Sequence, residues 1–305
     1  MEILPFRFTR HREDIFAVLF CLQLRQAFAS ISGMKRPLFC ELCPLAFRLS
    51  RMKGIVLRKL KDAFSKLRFS SKRMTEPLPI CIATHASLIR RRLAGVDPQL
   101  QDNKATNMAL AAPRLNGILI QPGETFSLWR LLGNTTKSKG YLPGLVIKCG
   151  KAAPGEGGGM CQLSNLLHWM ILHSELSITE HHHHERFNLF PDDERRVPFG
   201  LGTSIVYNYL DYRVTNNTSR TYQLLLHTDG EFLHGELRAD KEESFRYAIR
   251  VENDRFVRTA EGIRRRGDIF KDTIDNAGLT IKKEHLLSTN ALVMYDIAEE
   301  LLSSE

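Results

Sequence analysis

The sequence has no apolar run long enough to cross a bilayer as a helix. Its best stretch, residues 15–22, holds eight residues, against the roughly 20 that a helical span needs. A secretory leader is not expected either. Glu13 and Asp14 precede that run, and no small-residue cleavage site follows it before Arg25. The nucleophile-elbow and phosphate-loop patterns are both missing, so the enzyme classes they mark have no motif support. There is no disulfide framework. Six cysteines are scattered at 21, 40, 43, 81, 149 and 161, unlike the dense spacing of a small secreted scaffold. Cys40 and Cys43 form a lone CxxC, without a thioredoxin-like unit around it or a second pair for zinc. Acidic residues are scarce in the first quarter. Residues 1–75 carry 16 Lys or Arg against five Asp or Glu, a net of +11, whereas the remainder carries 27 against 29, a net of −2.

The basic excess therefore belongs to the N-terminal extension. Residues 15–28 and 52–69 read as helices, with Ile55, Leu57, Leu60, Phe64 and Leu67 interleaved with Arg and Lys. Such helices suit an anionic membrane face; the alternative is a pair of docking helices with a solvated basic side. Nucleic acid is not the expected partner, because no nucleic-acid motif accompanies the charge.

What organises the chain is the stretch from Gly157 to Met170. A glycine run leads to Cys161, and apolar residues then fall at 163, 166, 167, 170 and 171, a helical period. The glycines sit poorly in a helix or a central strand, and they allow close approach of a ligand or another backbone. Cys161 is thus expected in the first helical turn, where free N–H groups and the helix dipole favour a thiolate. Cys161, Ser164, Asn165 and His168 share one face, either as a cleft wall or as an ordinary solvated face. Glu180 and His181–His184 follow a short strand, near enough for one histidine to return to the helix start.

Around this centre the reading is α+β. A basic helical extension (1–75) is followed by a linker and lead-in (76–99), a core domain (100–240) and C-terminal strands with a helix completing the core (241–305). A mixed or antiparallel sheet is expected, with the Cys161 helix packed on it. Residues 103–115 read as helical despite Pro113, and residues 118–120 and 145–147 as strands. Residues 204–212 and 221–227 read as a hairpin turning at Asn216 to Thr218. Arg264 to Arg266 read as a solvated turn, and the tail from Glu299 as loose.

Several stretches together resemble the VanW family, named for an accessory protein of certain vancomycin-resistance clusters. They are Leu115-Asn116-Gly117 with residues 122–127, Lys139-Gly140-Tyr141 with Gly150-Lys151, residues 157–166, Glu180 with the histidine run, Phe190-Pro191-Asp192, Pro198-Phe199-Gly200 and residues 207–211. The resemblance covers residues 100–240 and continues more loosely to about 295. It implies a role in the bacterial envelope and in glycopeptide resistance. Relatives are often anchored or exported with added modules such as G5; none is recognised in this sequence, and the expected location is cytoplasmic or membrane-peripheral.

Two functions are weighed. The first is a module that binds a peptidoglycan precursor, a cell-wall peptide or a partner protein. Gly157, Gly158, Gly159, Gln162, Ser164, Asn165 and Tyr207 would shape its groove, with Trp129, Trp169 and Tyr209 as further aromatic walls. The second is cysteine-dependent acyl transfer on peptidoglycan peptides. Cys161 would be the nucleophile, His183 or His184 the base and Asp211 or Asp192 the orienting carboxylate, with Gln162 and the glycine backbone donating to an oxyanion. A zinc site built from Cys161 and two histidines is a third reading, but no tight ligand spacing demands it. No metal or cofactor is expected.

Overall fold

The computed structural model describes residues 43–91, 97–148, 151–183, 187–189, 191–192 and 196–303. The chain forms two compact units, Met1–Ser65 and Lys66–Glu305. In the first, helix α1 spans Pro44–Phe64, eight residues earlier than the apolar spacing suggested. Its start is set by local chemistry. The Cys43 sulfur accepts the Ala46 N–H at 3.4 Å, and Pro44 occupies the first helical position, where its missing N–H costs nothing. The helix expected over 15–28 lies outside the described residues, as does Cys40.

The second unit runs β1 (Arg68–Phe69), β2 (Ile80–Leu88), α2 (Pro98–Leu115), β3 (Ile118–Ile120), β4 (Glu124–Ser127), α3 (Leu128–Leu132), β5 (Pro143–Lys148), β6 (Lys151–Glu156), α4 (Met160–Leu172), β7 (Ser177–Glu180), β8 (Phe187–Asn188), β9 (Arg213–Thr215), β10 (Tyr222–Thr228), β11 (Phe232–Ala239), β12 (Arg246–Thr259), β13 (Gly262–Ile274), β14 (Thr280–Val293) and β15 (Leu302–Ser303). This is a mixed α+β architecture. The sheets are ordered β1-β4-β9-β7, β2-β11-β10-β3 and β15-β12-β13-β14-β8, with β5-β6 a separate hairpin. Most pairings are antiparallel; β1–β4, β12–β15 and β14–β8 are parallel.

Helix α4 lies on β2 and β11. Gly235 of β11 makes the approach possible, since a Cβ there would fall 2.5 Å from Leu166 and 2.8 Å from the Met170 methyl. The apolar stripe of α4 (Leu163, Leu166, Leu167, Met170 and Ile171) is buried against Leu224, Leu226, Leu233 and Leu237 of the sheet and Met108 of α2. A smaller cluster of Leu172, Val197, Leu201 and Ile269 ties the end of α4 to β13.

Several local expectations are corrected. Residues 80–88, inside the stretch taken as linker and lead-in, form β2, which pairs with β11 along its length. The expected 204–227 hairpin does not form, because β9 and β10 belong to different sheets. Asn216 turns that corner. Its side-chain amide donates to the Ile120 and Arg220 carbonyls, and its Oδ1 accepts from the N–H and hydroxyl of Thr218. Arg264 to Arg266 are no solvated turn but the interior of β13, where Arg265 is buried between Asp192 and Asp254. Beyond residue 240 the described residues contain no α-helix, only a 3-10 turn at Glu299–Leu301 leading into β15.

Candidate functional site

Helix α4 opens at Gly159, whose φ of +102° only glycine adopts readily. The glycines before it serve chain packing. A Cβ on Gly158 would lie 2.2 Å from the Gly144 carbonyl carbon, and one on Gly157 would lie 2.2 Å from the Thr135 hydroxyl. Asn107 locks the approach. Its amide donates to the carbonyls of Leu142 and Gly158, both at 2.9 Å, and its Oδ1 accepts the Leu142 N–H at 2.8 Å. The backbone for which Gly158 makes room is therefore β5, while Gly157 gives room to Thr135 and Gly159 to Lys104 and Met108.

The polar face of α4 is neither solvated nor an open wall. Ser164 is fully buried and His168 is 3% exposed. Thr203 covers this face. Its N–H and hydroxyl donate to Asn165 Oδ1 at 2.7 and 2.8 Å, and its hydroxyl also meets Ser164 Oγ. Gln162 is occupied on the other side, donating to Ser87 Oγ and the Leu88 carbonyl at 2.8 Å each. Tyr207 packs edge-on against Trp129, with ring centroids 5.7 Å apart.

Cys161 is half-buried as a residue, but its sulfur is enclosed. Burial pushes the thiol's pKa up, and hydrogen bonds from the Ile205 N–H and its own N–H offset this only in part. The helix start does not deliver the expected thiolate, because desolvation outweighs the local donors. The influences on this thiol are burial and those two backbone donors.

The histidine run does return to α4, through its backbone. Ser204 N–H donates to the His182 carbonyl at 2.6 Å, and His183 forms a bridge with Thr203. The rings stack in sequence. His168 lies on His181 with centroids 4.0 Å apart, and His181 meets His183 edge-on at 4.0 Å. His168 Nδ1 lies 3.2 Å from the Tyr212 hydroxyl. Burial holds both inner rings neutral: His168 falls well below the ordinary histidine range and His181 to about 3, with the neighbouring histidines lowering each further. Among the described residues, no group of His, Cys, Asp or Glu is placed to hold a metal ion. His184 lies outside the described residues.

Asp211 is likewise spent on structure. It is buried, and its oxygens accept from Ser127 Oγ (2.6 Å), Trp129 N–H (3.1 Å), Tyr212 N–H (2.9 Å) and Arg213 Nε (2.8 Å). Asp192 pairs with Arg265.

Among the described residues, the catalytic candidate His183 borders open space. With Phe187, Phe199, Leu287, Leu292 and Arg264 it lines a cleft of about 550 Å³. One side is lined by His183, Phe187, Phe199 and Gly200; the other by residues of β13 and β14. Arg264 is held by Glu261 and by the Asn290 carbonyl at 3.0 Å. The sequence reading missed this second wall. The alternation along β13, where Arg265, Gly267 and Ile269 are buried and their neighbours less so, is the signal that marks it. Also missed was Lys104 of α2, buried beside Gly159, whose pKa falls to about 8 through burial and then the charges of Arg91 and Arg90.

An α+β fold with His183 at a cleft against a five-stranded sheet is what the geometry defines. Residues 103–238 match the family described as "VanW like protein", and this segment is where the likeness to that family lies. It is similar to "Vancomycin B-type resistance protein VanW" of Enterococcus faecalis (strain ATCC 700802 / V583), with 40% identity over 169 residues, covering 55% of this chain and 61% of that protein. It is also similar to "Uncharacterized protein YoaR" of Bacillus subtilis (strain 168), with 29% identity over 114 residues, covering 37% of this chain and 36% of that protein. The chain thus spans less than two thirds of each relative's length. No solved structure matches it significantly.

Proposed function

We propose that this chain is an envelope-associated binding module that holds a cell-wall precursor peptide in the cleft beside His183. The observation that carries the reading is the cleft's composition. Phe187, Phe199, Leu287 and Leu292 share the cleft with Arg264 and its partner Glu261, which suits a peptide with apolar side chains and a charged end able to exchange into that ion pair. The resistance named for the enterococcal relative is directed at a drug of cell-wall peptides, which favours this ligand class. The raised thiol pKa of Cys161 weighs against acyl transfer, since that chemistry needs the thiolate.

Calorimetric titration with a muramyl pentapeptide tests the reading. Arg264→Ala should weaken binding roughly tenfold, as expected for one lost charge-assisted contact, while Cys161→Ser should leave it within about twofold. Cleavage of the peptide, abolished by Cys161→Ser, would instead establish the enzyme. The α1 unit supports the placement at the envelope. Leu45, Leu49, Met52, Val56, Leu60 and Phe64 are all exposed, and six basic residues against one acidic share the helix, the pattern of an interfacial helix on anionic lipid. Sedimentation with vesicles checks this: binding to phosphatidylglycerol and not to phosphatidylcholine is expected, and equal recovery without vesicles sinks it.

A further inference from the structure

The three consecutive arginines of β13 are not treated alike. Arg264 is paired with Glu261, and Arg265 with Asp254 and Asp192. Among the described residues, Arg266 has only a long contact, 3.4 Å, to the Asn290 amide oxygen. Directly across the ladder from Arg266 stands Arg255 of β12. Among the described residues, neither has a carboxylate within ion-pair distance. Like charges placed opposite each other on antiparallel strands are destabilising, so an unbalanced pair calls for an explanation.

A β-bulge produces it. The β12 register shifts between Glu252 and Arg255, so that Asn253 and Asp254 stand against Gly267 alone. Asn253 takes a φ of +56°. The Asp254 carboxylate turns to Arg265, whereas Asn253 and Arg255 border a pocket of about 370 Å³ together with Arg266, Ser288 and Thr289. Bulges of this kind re-aim side chains beside functional sites. Asp268 also borders the pocket, but its oxygens are occupied by Ser288 Oγ at 2.6 Å and Asn253 Nδ2 at 3.1 Å, with His285 Nε2 at 3.5 Å. That leaves two guanidinium forks facing one hollow.

We infer that Arg255 and Arg266 form an anion site for a phosphate ester, best matched by a diphosphate. Planar guanidinium forks bind phosphate oxygens bidentately, and a diphosphate offers each fork its own phosphoryl group. The pocket shares Ser288 and Thr289 with the cleft beside His183. A precursor held by its peptide in the cleft would bring its diphosphate to this pair. That assignment of the ligand rests on the binding function proposed above; the anion site does not.

The test uses the full chain with inorganic pyrophosphate as the calorimetric probe. Saturable binding is expected, weakened at least about tenfold in Arg255→Gln/Arg266→Gln and unchanged in Arg258→Gln, whose arginine pairs with Glu299 elsewhere on β12. The double variant should melt no lower than the parent, because it removes repulsion. No binding by the parent, or equal loss in Arg258→Gln, overturns the site. If pyrophosphate binds and the phosphate-free peptide does not, the site stands and the peptide reading fails; the reverse result spares the peptide reading alone. The source of the diphosphate is then read from two arms. Competition by a soluble nucleotide diphosphate assigns a nucleotide-linked precursor, and selective recovery on vesicles carrying a prenyl diphosphate assigns a lipid-linked one.

Discussion

Replacing Gly158 by alanine is expected to cost upwards of about 4 kcal/mol, or to prevent folding, although it adds one methyl group. The new Cβ would stand 2.2, 2.5 and 2.6 Å from the C, Cα and O atoms of Gly144, all of them backbone and none able to swing aside. The two segments cannot part cheaply, because Asn107 bonds both Leu142 and Gly158, and their separation would strand buried amide groups. Gly123→Ala is the control. Unlike Gly158, Gly123 has a positive φ, +75°, but nothing lies within 4 Å of its would-be Cβ, so only the backbone strain of about 1 kcal/mol is due. Urea titration of both variants decides the matter. A Gly158→Ala protein that keeps parental stability yet loses its ligand would return the glycine run to the binding surface.

Gly157 to Gly159 show where the sequence was legible and where it was not. That close approach was needed could be read from three adjacent glycines. What approaches could not be read, because Gly144 is distant in sequence and a missing side chain leaves no pattern to pair. The period of Leu163, Leu166, Leu167, Met170 and Ile171 was readable because burial in a helix repeats every 3.6 residues, and all five are buried. The polar face was misread for a related reason. Cys161, Ser164, Asn165 and His168 look like a solvated stripe until Thr203 is known to meet the first three and His181 and Tyr212 the last, and the Thr203 contact joins residues 38 positions apart. Helix starts were legible in principle: Asp97 before Pro98 is a cap followed by a first-turn proline, and its side chain accepts the Gln99 N–H at 2.9 Å. The arginines at 264–266 were the hardest. A run of charge ordinarily faces water, and here the carboxylates that admit Arg265 to the interior come from two other segments, at Asp192 and Asp254.

Asp211→Ala is expected to destabilise the fold by about 3–5 kcal/mol, the range for breaking a buried charge pair from one side. The carboxylate gathers two backbone N–H groups, the Ser127 hydroxyl and the Arg213 guanidinium at a site 1% exposed. Glu180, 3.6 Å from Arg213, would keep that cation partly balanced, which places the loss toward the lower end of the range. Asp211→Asn preserves the shape and one acceptor but not the charge, and should cost less. An orienting carboxylate of a Cys–His pair would behave differently: its removal would leave the fold stable while slowing alkylation of Cys161. The thiol here is governed by burial and by the Ile205 N–H, so its alkylation rate in the folded protein should be the same in Asp211→Asn as in the parent. Chemical denaturation and iodoacetamide labelling followed by peptide mass, run on the same samples, separate the two cases. Lost stability with unchanged labelling assigns Asp211 to the scaffold, where it joins α3, β4 and β9.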